Sequence, residues 1–237
     1  MEPGVVVFLL AAATAAFVVS ASAGLGGSLI LVPTLSIALG AKEGIALAAL
    51  LLAANNVPKL WVYWSNVPWR ASAAVIVLTI AGAYLGASLL VRTPERVVAL
   101  AVIATIALSL VFERVRSTRA LAVSAPPIAF AAGATSGFSG TSGPLKGIAL
   151  RNLSLDRFHL VGAASAVSLA GDAAKTSVYA EASLLDTQSF VIAGVLIPVM
   201  ILSTLAGRRI NRGLGERGYA VLFWGVMVGY TARLLGA

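Results

Sequence analysis

Long apolar runs, separated by short polar connections, extend through most of this sequence. They are Val5–Val19, Ile45–Ala54, Ala71–Val91, Val97–Phe112, Leu121–Ala134, Leu160–Ala174, Phe190–Ala206 and Tyr219–Leu235. Most approach the roughly 20 residues that an α-helix needs to cross a bilayer. Charged residues make up 11% of the chain, whereas about a quarter of a soluble domain is charged. The sequence therefore predicts an all-α polytopic membrane protein, and we expect it in the cell (inner) membrane as a multi-pass protein.

The net charge of +8 comes mainly from Lys and Arg in the short connections, an arrangement typical of topology signals. No basic run with interleaved aromatic residues indicates nucleic-acid binding. The chain has no cysteine and one histidine, His159, so we expect neither a metal site nor a cofactor. With no paired carboxylates either, an enzyme is disfavoured.

A possible signal peptidase site lies at Ala21-Ser22-Ala23. The stretch before it begins Met1-Glu2-Pro3 and contains no Lys or Arg, whereas a secretory signal starts with a positive region. We interpret this first run as part of the membrane domain.

Each half of the chain has an apolar run interrupted by glycines. Glycine costs about 1 kcal/mol relative to alanine inside a helix. Broken backbone at membrane depth is tolerated only where it packs in protein or lines a polar cavity. Two such breaks in matching positions indicate a transporter binding site. The predicted lining residues are Gly24, Gly26, Gly27 and Ser28 in the first break, Ser136, Gly137, Ser139, Gly140, Thr141 and Ser142 in the second, and Asn55 and Asn56 beside them.

Two physical interpretations of the breaks stay open. Half-helix N-termini carry unpaired N–H groups and the positive end of the helix dipole, so they suit an anion, and hydroxyl groups add neutral donors. Alternatively, small residues allow close packing of helices.

The two halves match elsewhere, too. Asn56, Lys59 and Tyr63 align with Asp172, Lys175 and Tyr179 at an offset of 116 residues (172 minus 56), and Gly86…Glu95-Arg96 aligns with Gly207…Glu216-Arg217 at 121 (207 minus 86). These matches indicate an internal duplication of residues 1–119 and 120–237, with about five inserted segments in each repeat. The predicted segments are Val5–Ser22, Leu29–Leu39, Ile45–Tyr63, Ala71–Val91 and Val97–Phe112, then Leu121–Thr135, Pro144–Leu150, Phe158–Tyr179, Gln188–Ala206 and Tyr219–Leu235.

Lys and Arg counts orient these segments. The positive-inside rule puts Arg70, Arg114–Arg119 and Arg208–Arg217 in the cytoplasm and Glu181–Asp186 outside. The two repeats then enter the membrane from opposite sides, so the predicted repeat is inverted. Its discontinuous first helices are those at the glycine breaks.

The most informative charged residues are Lys59 and Lys175, at matching positions toward the ends of apolar segments. A lysine at membrane depth faces a cavity or a partner, so both are candidate substrate ligands. The alternative is that each snorkels from a helix end to the headgroups. Asp172, three residues before Lys175, is either its local ion-pair partner or a group that couples protons to transport.

Other features receive ordinary interpretations. Gly143-Pro144-Leu145-Lys146 lacks the G-K-[ST] of a P-loop, and Gly24-Leu25-Gly26-Gly27 does not follow a strand as a dinucleotide motif would. We expect His159 to be a solvated helix-end residue. Trp61, Trp64 and Trp69 are expected to anchor one connection at the bilayer interface.

These segments resemble the sulfite exporter TauE/SafE family, also called the TSUP permeases, in which a glycine-rich segment followed by proline recurs after the midpoint. Here the copies are Gly24-Leu25-Gly26-Gly27-Ser28…Pro33 and Gly137-Phe138-Ser139-Gly140…Pro144, and Gly82-Ala83-Tyr84-Leu85-Gly86 leading to Arg92-Thr93-Pro94-Glu95-Arg96 fits the same pattern. The resemblance implies transport, often outward, of small sulfur-containing anions such as sulfite, sulfonates or sulfoacetate, linked to the proton gradient. A passive anion channel is the alternative.

Overall fold

The computed structural model describes residues 13–14, 16–18, 27–114, 125–142, 145–153 and 155–213. Within these ranges the chain is helical and contains no strand, which confirms the all-α prediction. The helices are α1 Gly27–Leu39, α2 Ala41–Tyr63, α3 Trp69–Arg92, α4 Glu95–Arg114, α5 Ala125–Ser139, α6 Leu145–Arg151, α7 Arg157–Glu181 and α8 Thr187–Gly213, with a 3₁₀ turn at Trp64–Asn66. The predicted segment Tyr219–Leu235 and most of Val5–Ser22 lie outside the described residues.

Three of the described helices are long and apolar enough to cross a membrane: α2 with its 3₁₀ turn, α3, and the Thr187–Gly207 part of α8. Their outward side chains are apolar, as lipid contact requires, for example Val77 on α3 and Val195 on α8, which are 62% and 67% exposed. Helix α7 has 25 residues but carries Asp172 and Lys175 along its length. At 1.5 Å per residue, the 13-residue α1 and 7-residue α6 extend only about 20 and 10 Å, so neither spans a bilayer.

Helices α3 and α5 are in backbone contact through four glycines. A Cβ atom added at Gly82, Gly86, Gly133 or Gly137 would lie 2.1–2.3 Å from a carbonyl oxygen of the facing helix, so no larger residue fits. Gly82 faces Phe130 and Gly86 faces Ala134, which means that the helices run parallel. This is the small-residue packing of membrane helices, and it accounts for Gly137 without a ligand.

The central helices α2 and α7 run antiparallel. Asn56 contacts Asp172, whereas Gly162, near the start of α7, lies against Asn66, just beyond the end of α2. Around this pair, α3 packs on α7 and α8 packs on α2. Each central helix is therefore covered by a helix from the other half of the chain.

A carboxylate from α4 caps the start of α2. Gly40 has φ 96°, a conformation that L side chains rarely adopt, and it turns the chain out of α1. The N–H groups of Ala41 and Lys42 then donate to Glu95 Oε1, satisfying two of the orphan donors of the first turn. The Lys42 ammonium donates to the carbonyl of Val91 at 3.0 Å, which ties α2 to the end of α3.

Candidate functional site

The contact between α2 and α7 contains the two lysines that the sequence alignment of the two halves pairs with each other. Lys59 is 0% exposed and Lys175 is 1% exposed, and both are surrounded by protein. Snorkelling needs an ammonium that reaches headgroups or water, so that alternative does not fit this burial. Each lysine is an internal charge in the middle of a helical bundle.

Asp172 pairs directly with one of these lysines. Its Oδ1 atom lies 2.8 Å from Lys175 Nζ, and its Oδ2 atom accepts a 2.8 Å hydrogen bond from Asn56 Nδ2. Asp172 is 5% exposed, and its charge also acts on Lys59. The local ion pair expected from the sequence is present, and it reaches across to the opposite helix.

Lys175 also connects α7 to the second glycine break. Its ammonium donates to Ser136 Oγ at 2.9 Å and, at 3.5 Å, to the carbonyl of Gly140. The hydroxyl of Tyr179 donates to the carbonyl of Gly137. These donors meet the carbonyl groups that the end of α5 leaves without helical partners. All three N–H groups of Lys175 therefore have acceptors.

The breaks are shorter than the sequence predicts. Helix α5 continues to Ser139, so Ser136, Gly137 and Ser139 are helical, because the backbone contact with α3 stabilises this turn. Gly27 and Ser28 likewise belong to α1. The remaining non-helical part of the second break, as far as the structure describes it, is Gly140–Ser142. Gly24, Gly26 and Gly143 lie outside the described residues.

The two breaks meet directly. Ser28 Oγ and Thr141 Oγ1 are 3.1 Å apart, within hydrogen-bond distance. Gly140 has φ 78° and packs on Val32 of α1, where a Cβ would lie 2.8 Å from both methyl groups. The structure thus brings Ser28, Thr141 and Ser136 toward the same centre as Lys175. The hydroxyl of Ser139, by contrast, faces main-chain carbonyls of Thr135 and Thr141.

Asn55 has unused hydrogen-bonding capacity. It is 0% exposed, and neither its amide oxygen nor its amide nitrogen has a hydrogen-bond partner among the described residues. Asn56 Oδ1 also has no hydrogen-bond partner among the described residues. Leaving a buried polar group unsatisfied costs about 1–3 kcal/mol. Asn55 lies one turn before Lys59 on the same face of α2, so these atoms suit a polar ligand near that lysine.

The sequence interpretation missed a third lysine, Lys146. It lies on α6 directly after the second break, and its ammonium donates to Ser168 Oγ on α7 at 3.1 Å. Its charge acts on both Asp172 and Lys175. From the sequence, Lys146 stands out only as the lysine of a segment that lacks the complete P-loop motif. The available signal was a lone charge on a segment too short to span the membrane.

Three ammonium groups and one carboxylate thus interact within the bundle, with hydroxyl and amide donors around them. Among the described residues of this cluster, positive charges outnumber negative ones, so the arrangement can hold an anion and is ill suited to a cation. No group of three or more His, Cys, Asp or Glu residues that could hold a metal occurs in the described part of the chain. His159 lies apart from the cluster, paired with Asp156 at the exposed start of α7.

Apolar helices long enough to span a bilayer, two helices too short to do so, and lysines and a carboxylate buried between the helices are the features of a helical membrane transport protein. The chain belongs to the sulfite exporter TauE/SafE family, whose sequence profile matches residues 8–234. This is a family of membrane transporters of sulfur-containing anions rather than of enzymes. No curated protein and no solved structure matches the chain.

Proposed function

We propose that this protein exports a small sulfur-containing oxyanion, such as sulfite, a sulfonate or sulfoacetate, and binds it at the lysine cluster between α2 and α7. One observation carries the proposal: Lys59 and Lys175 are buried between the helices, and Asp172 is the carboxylate that acts on both of them within the described part of the chain. Excess positive charge in a medium of low polarity favours an anion. Asn55, Asn56, Ser136 and Thr141 supply neutral polar atoms beside it, and Gly27, Ser28, Gly140 and Ser142 form the walls.

The substrate must compete with Asp172 for Lys175. Because the three N–H groups of that ammonium already have acceptors, an anion can bind it only by displacing one of them. Protonation of Asp172 weakens its ion pair with Lys175 and so favours binding of the anion to Lys175. By linkage, the anion favours protonation to the same extent. A proton and the anion would then bind together, which couples transport to the pH gradient.

An inverted repeat with alternating access is part of this proposal. Two pairs of residues at corresponding positions of the halves contact each other, Asn56 with Asp172 and Ser28 with Thr141. Corresponding helices α2 and α7 are antiparallel, as halves of opposite orientation require. These contacts support a pseudo-twofold axis in the membrane plane at the proposed site, the usual position of a transporter substrate.

The test is flux of labelled sulfite and of methanesulfonate into proteoliposomes, with and without a pH gradient. Wild type should show saturable flux that the gradient changes, and Lys59→Gln/Lys175→Gln should lose it. Lys42→Gln, a lysine outside the cluster, is the matched control and should retain flux. Flux that survives in the double variant would contradict the lysine site. Conductance without counterflow would indicate a passive anion channel instead of a carrier.

A further inference from the structure

One face of α7 carries hydroxyl groups between the start of the helix and the lysine cluster. Ser165 and Ser168 are both buried. They lie two turns and one turn before Asp172, so the three side chains follow one face of the helix. Ser168 Oγ accepts a hydrogen bond from the side chain of Lys146 at 3.1 Å. This face therefore leads directly into the cluster.

Helix α3 crosses this face and adds two more buried hydroxyl groups. The backbone of Val67, just before α3, lies against Gly162. Further along both helices, Thr79 lies against Gly171, so α3 and α7 run parallel. Ser72 lies two turns before Thr79 on the same face of α3, and both residues are buried. The row of hydroxyl groups between the two helices consists of Ser72, Thr79, Ser165 and Ser168.

The hydroxyl of Ser72 has no hydrogen-bond partner among the described residues, although Ser72 is 0% exposed. The other three hydroxyl groups bond protein atoms: Ser165 donates to the carbonyl of Val161, Thr79 to that of Ala129, and Ser168 accepts from Lys146. A buried donor without an acceptor is destabilising, and alanine at position 72 would avoid that cost. The free donor of Ser72 therefore points to a ligand that reaches this row.

Helix packing alone does not require these hydroxyl groups. The corresponding helices of the other pair, α2 and α8, also pack on each other. At the alignment offsets of 116 and 121 residues, their side chains are apolar and buried. The counterparts of Ser165, Ser168, Ser72 and Thr79 are Ala49, Leu52, Ala193 and Met200.

We propose that the anion travels between the start of α3 and the lysine cluster along this row of hydroxyl groups, and that Ser72 donates a hydrogen bond to it. The inference rests on the proposed function and adds the path to it. Neutral donors can replace part of the hydration of an oxyanion and still release it, as passage requires. Arg70, exposed at the start of α3, is predicted to lie in the cytoplasm, where an exported anion begins.

The test uses Ser72→Cys, a nearly isosteric change in a chain that contains no cysteine. The probe is 2-bromoethanesulfonate, a small sulfonate that alkylates a thiol to a thioether and releases bromide. It is supplied on both sides of proteoliposomes and removed before flux is measured. We expect the thiol to be alkylated, methanesulfonate to slow the alkylation, and most of the flux of labelled sulfite and methanesulfonate to be lost afterwards.

Ala164→Cys is the matched control. Ala164 is next to Ser165 on α7, is 1% exposed and packs in an apolar cluster with Val75 and Ala129. Its thiol should stay unmodified, and the variant should keep its flux after the same treatment.

Ser72→Ala provides a second test that does not depend on labelling. Because it removes an unsatisfied buried hydroxyl, it should keep or raise the unfolding temperature in detergent, yet it should lower the flux. A hydroxyl with a purely structural role would leave the flux unchanged.

Two results would overturn the path and leave the proposed function standing, provided that flux still depends on Lys59 and Lys175. One is a Ser72→Cys thiol that reacts no faster than that of Ala164→Cys, and the other is wild-type flux in Ser72→Ala. Absence of flux of both anions in wild type would overturn the proposed function and this inference with it.

Discussion

Asn56 donates a 2.8 Å hydrogen bond to Asp172 across 116 residues of sequence, the same separation that aligns Lys59 with Lys175. In a twofold arrangement, a residue contacts its own counterpart only close to the axis. The pair therefore lies where a pseudo-twofold axis would pass. The two partners differ in charge, an amide on α2 and a carboxylate on α7, so the counter-ion of the cluster belongs to one half.

Exchanging these two side chains should be better tolerated than changing either one. Asp172→Asn removes the buried carboxylate that pairs with Lys175, and breaking a buried ion pair costs about 3–5 kcal/mol. Asn56→Asp places a second carboxylate beside the first. In the double variant, the carboxylate introduced on α2 would precede Lys59 by three residues, as Asp172 precedes Lys175. We expect thermal unfolding in detergent to show lower unfolding temperatures for both single variants and a partial recovery for the double one.

Independent sites would give the double variant the sum of the two single effects. That additive result would argue against a symmetric environment at positions 56 and 172. Ser88→Ala is a suitable reference, since the hydroxyl of Ser88 is exposed and bonds only its own helix, through the carbonyl of Tyr84.

The four glycines between α3 and α5 give a second prediction. Gly86→Ala would place a Cβ atom 2.1 Å from the carbonyl oxygen of Ala134, so the helices must separate. Overpacking of this kind costs typically about 1–3 kcal/mol, and here the obstructing atoms are backbone. We expect Gly86→Ala and Gly133→Ala to lower the unfolding temperature by several degrees.

Gly194→Ala is the matched control for these substitutions. Gly194 lies within α8, and a Cβ atom there meets nothing within 4 Å. Alanine favours the helix over glycine by up to about 1 kcal/mol, so this variant should be as stable as wild type or more so. Equal effects at Gly86 and Gly194 would contradict the close contact of α3 with α5.

The sequence was a good guide to segments and to the central charges. Hydrophobic length and basic connections predicted the described helices to within about four residues at each end, except that α8 continues to Gly213 where the predicted segment ends at Ala206. The predicted duplication singled out Lys59 and Lys175 without any knowledge of packing. Their burial could not be predicted, since a lysine near a helix end can either snorkel or turn inward. That choice depends on helices distant in sequence.

The extent of the glycine breaks and the contacts of Lys146 could not be predicted from the sequence, because they also depend on packing between helices. Glycines at Gly133 and Gly137 indicate a weak helix when considered alone, yet contact with α3 keeps α5 helical as far as Ser139. Lys146 reaches Ser168 only because α6 is short and folds back on α7. Neither contact has a signature in local spacing.

Asp186, in the connection before α8, gives a prediction about pH. The hydroxyl and the N–H of Ser189 both donate to Asp186 Oδ1, at 2.7 and 2.8 Å. Both hydrogen bonds lower the pKa of Asp186 from its ordinary value of 3.8, and the one from the Ser189 hydroxyl has the larger effect. The folded state favours the carboxylate form. The stabilisation from this cap is therefore complete at a pH above the ordinary pKa of the carboxyl group, and it is lost as the pH falls through the lowered pKa.

Asp186→Asn should therefore lower the unfolding temperature at neutral pH, and the difference from wild type should shrink as the pH falls below about 4. Unfolding temperatures measured across this range provide the check. A deficit in Asp186→Asn that is constant with pH would contradict the carboxylate cap.

The proposed opposite orientation of the two halves predicts the sides on which two connections lie. Antiparallel α2 and α7 place Ser65, after α2, and Glu181, at the end of α7, at opposite ends of the central pair.

The chain contains no cysteine, so Ser65→Cys and Glu181→Cys each introduce a single reactive thiol at an exposed position. A membrane-impermeant maleimide applied to intact cells should label Glu181→Cys, and it should label Ser65→Cys only after permeabilisation. The unaltered chain is the blank. If intact cells label Ser65→Cys alone, the protein has the orientation opposite to the one that the basic residues predict. If they label both thiols, the inverted repeat is ruled out.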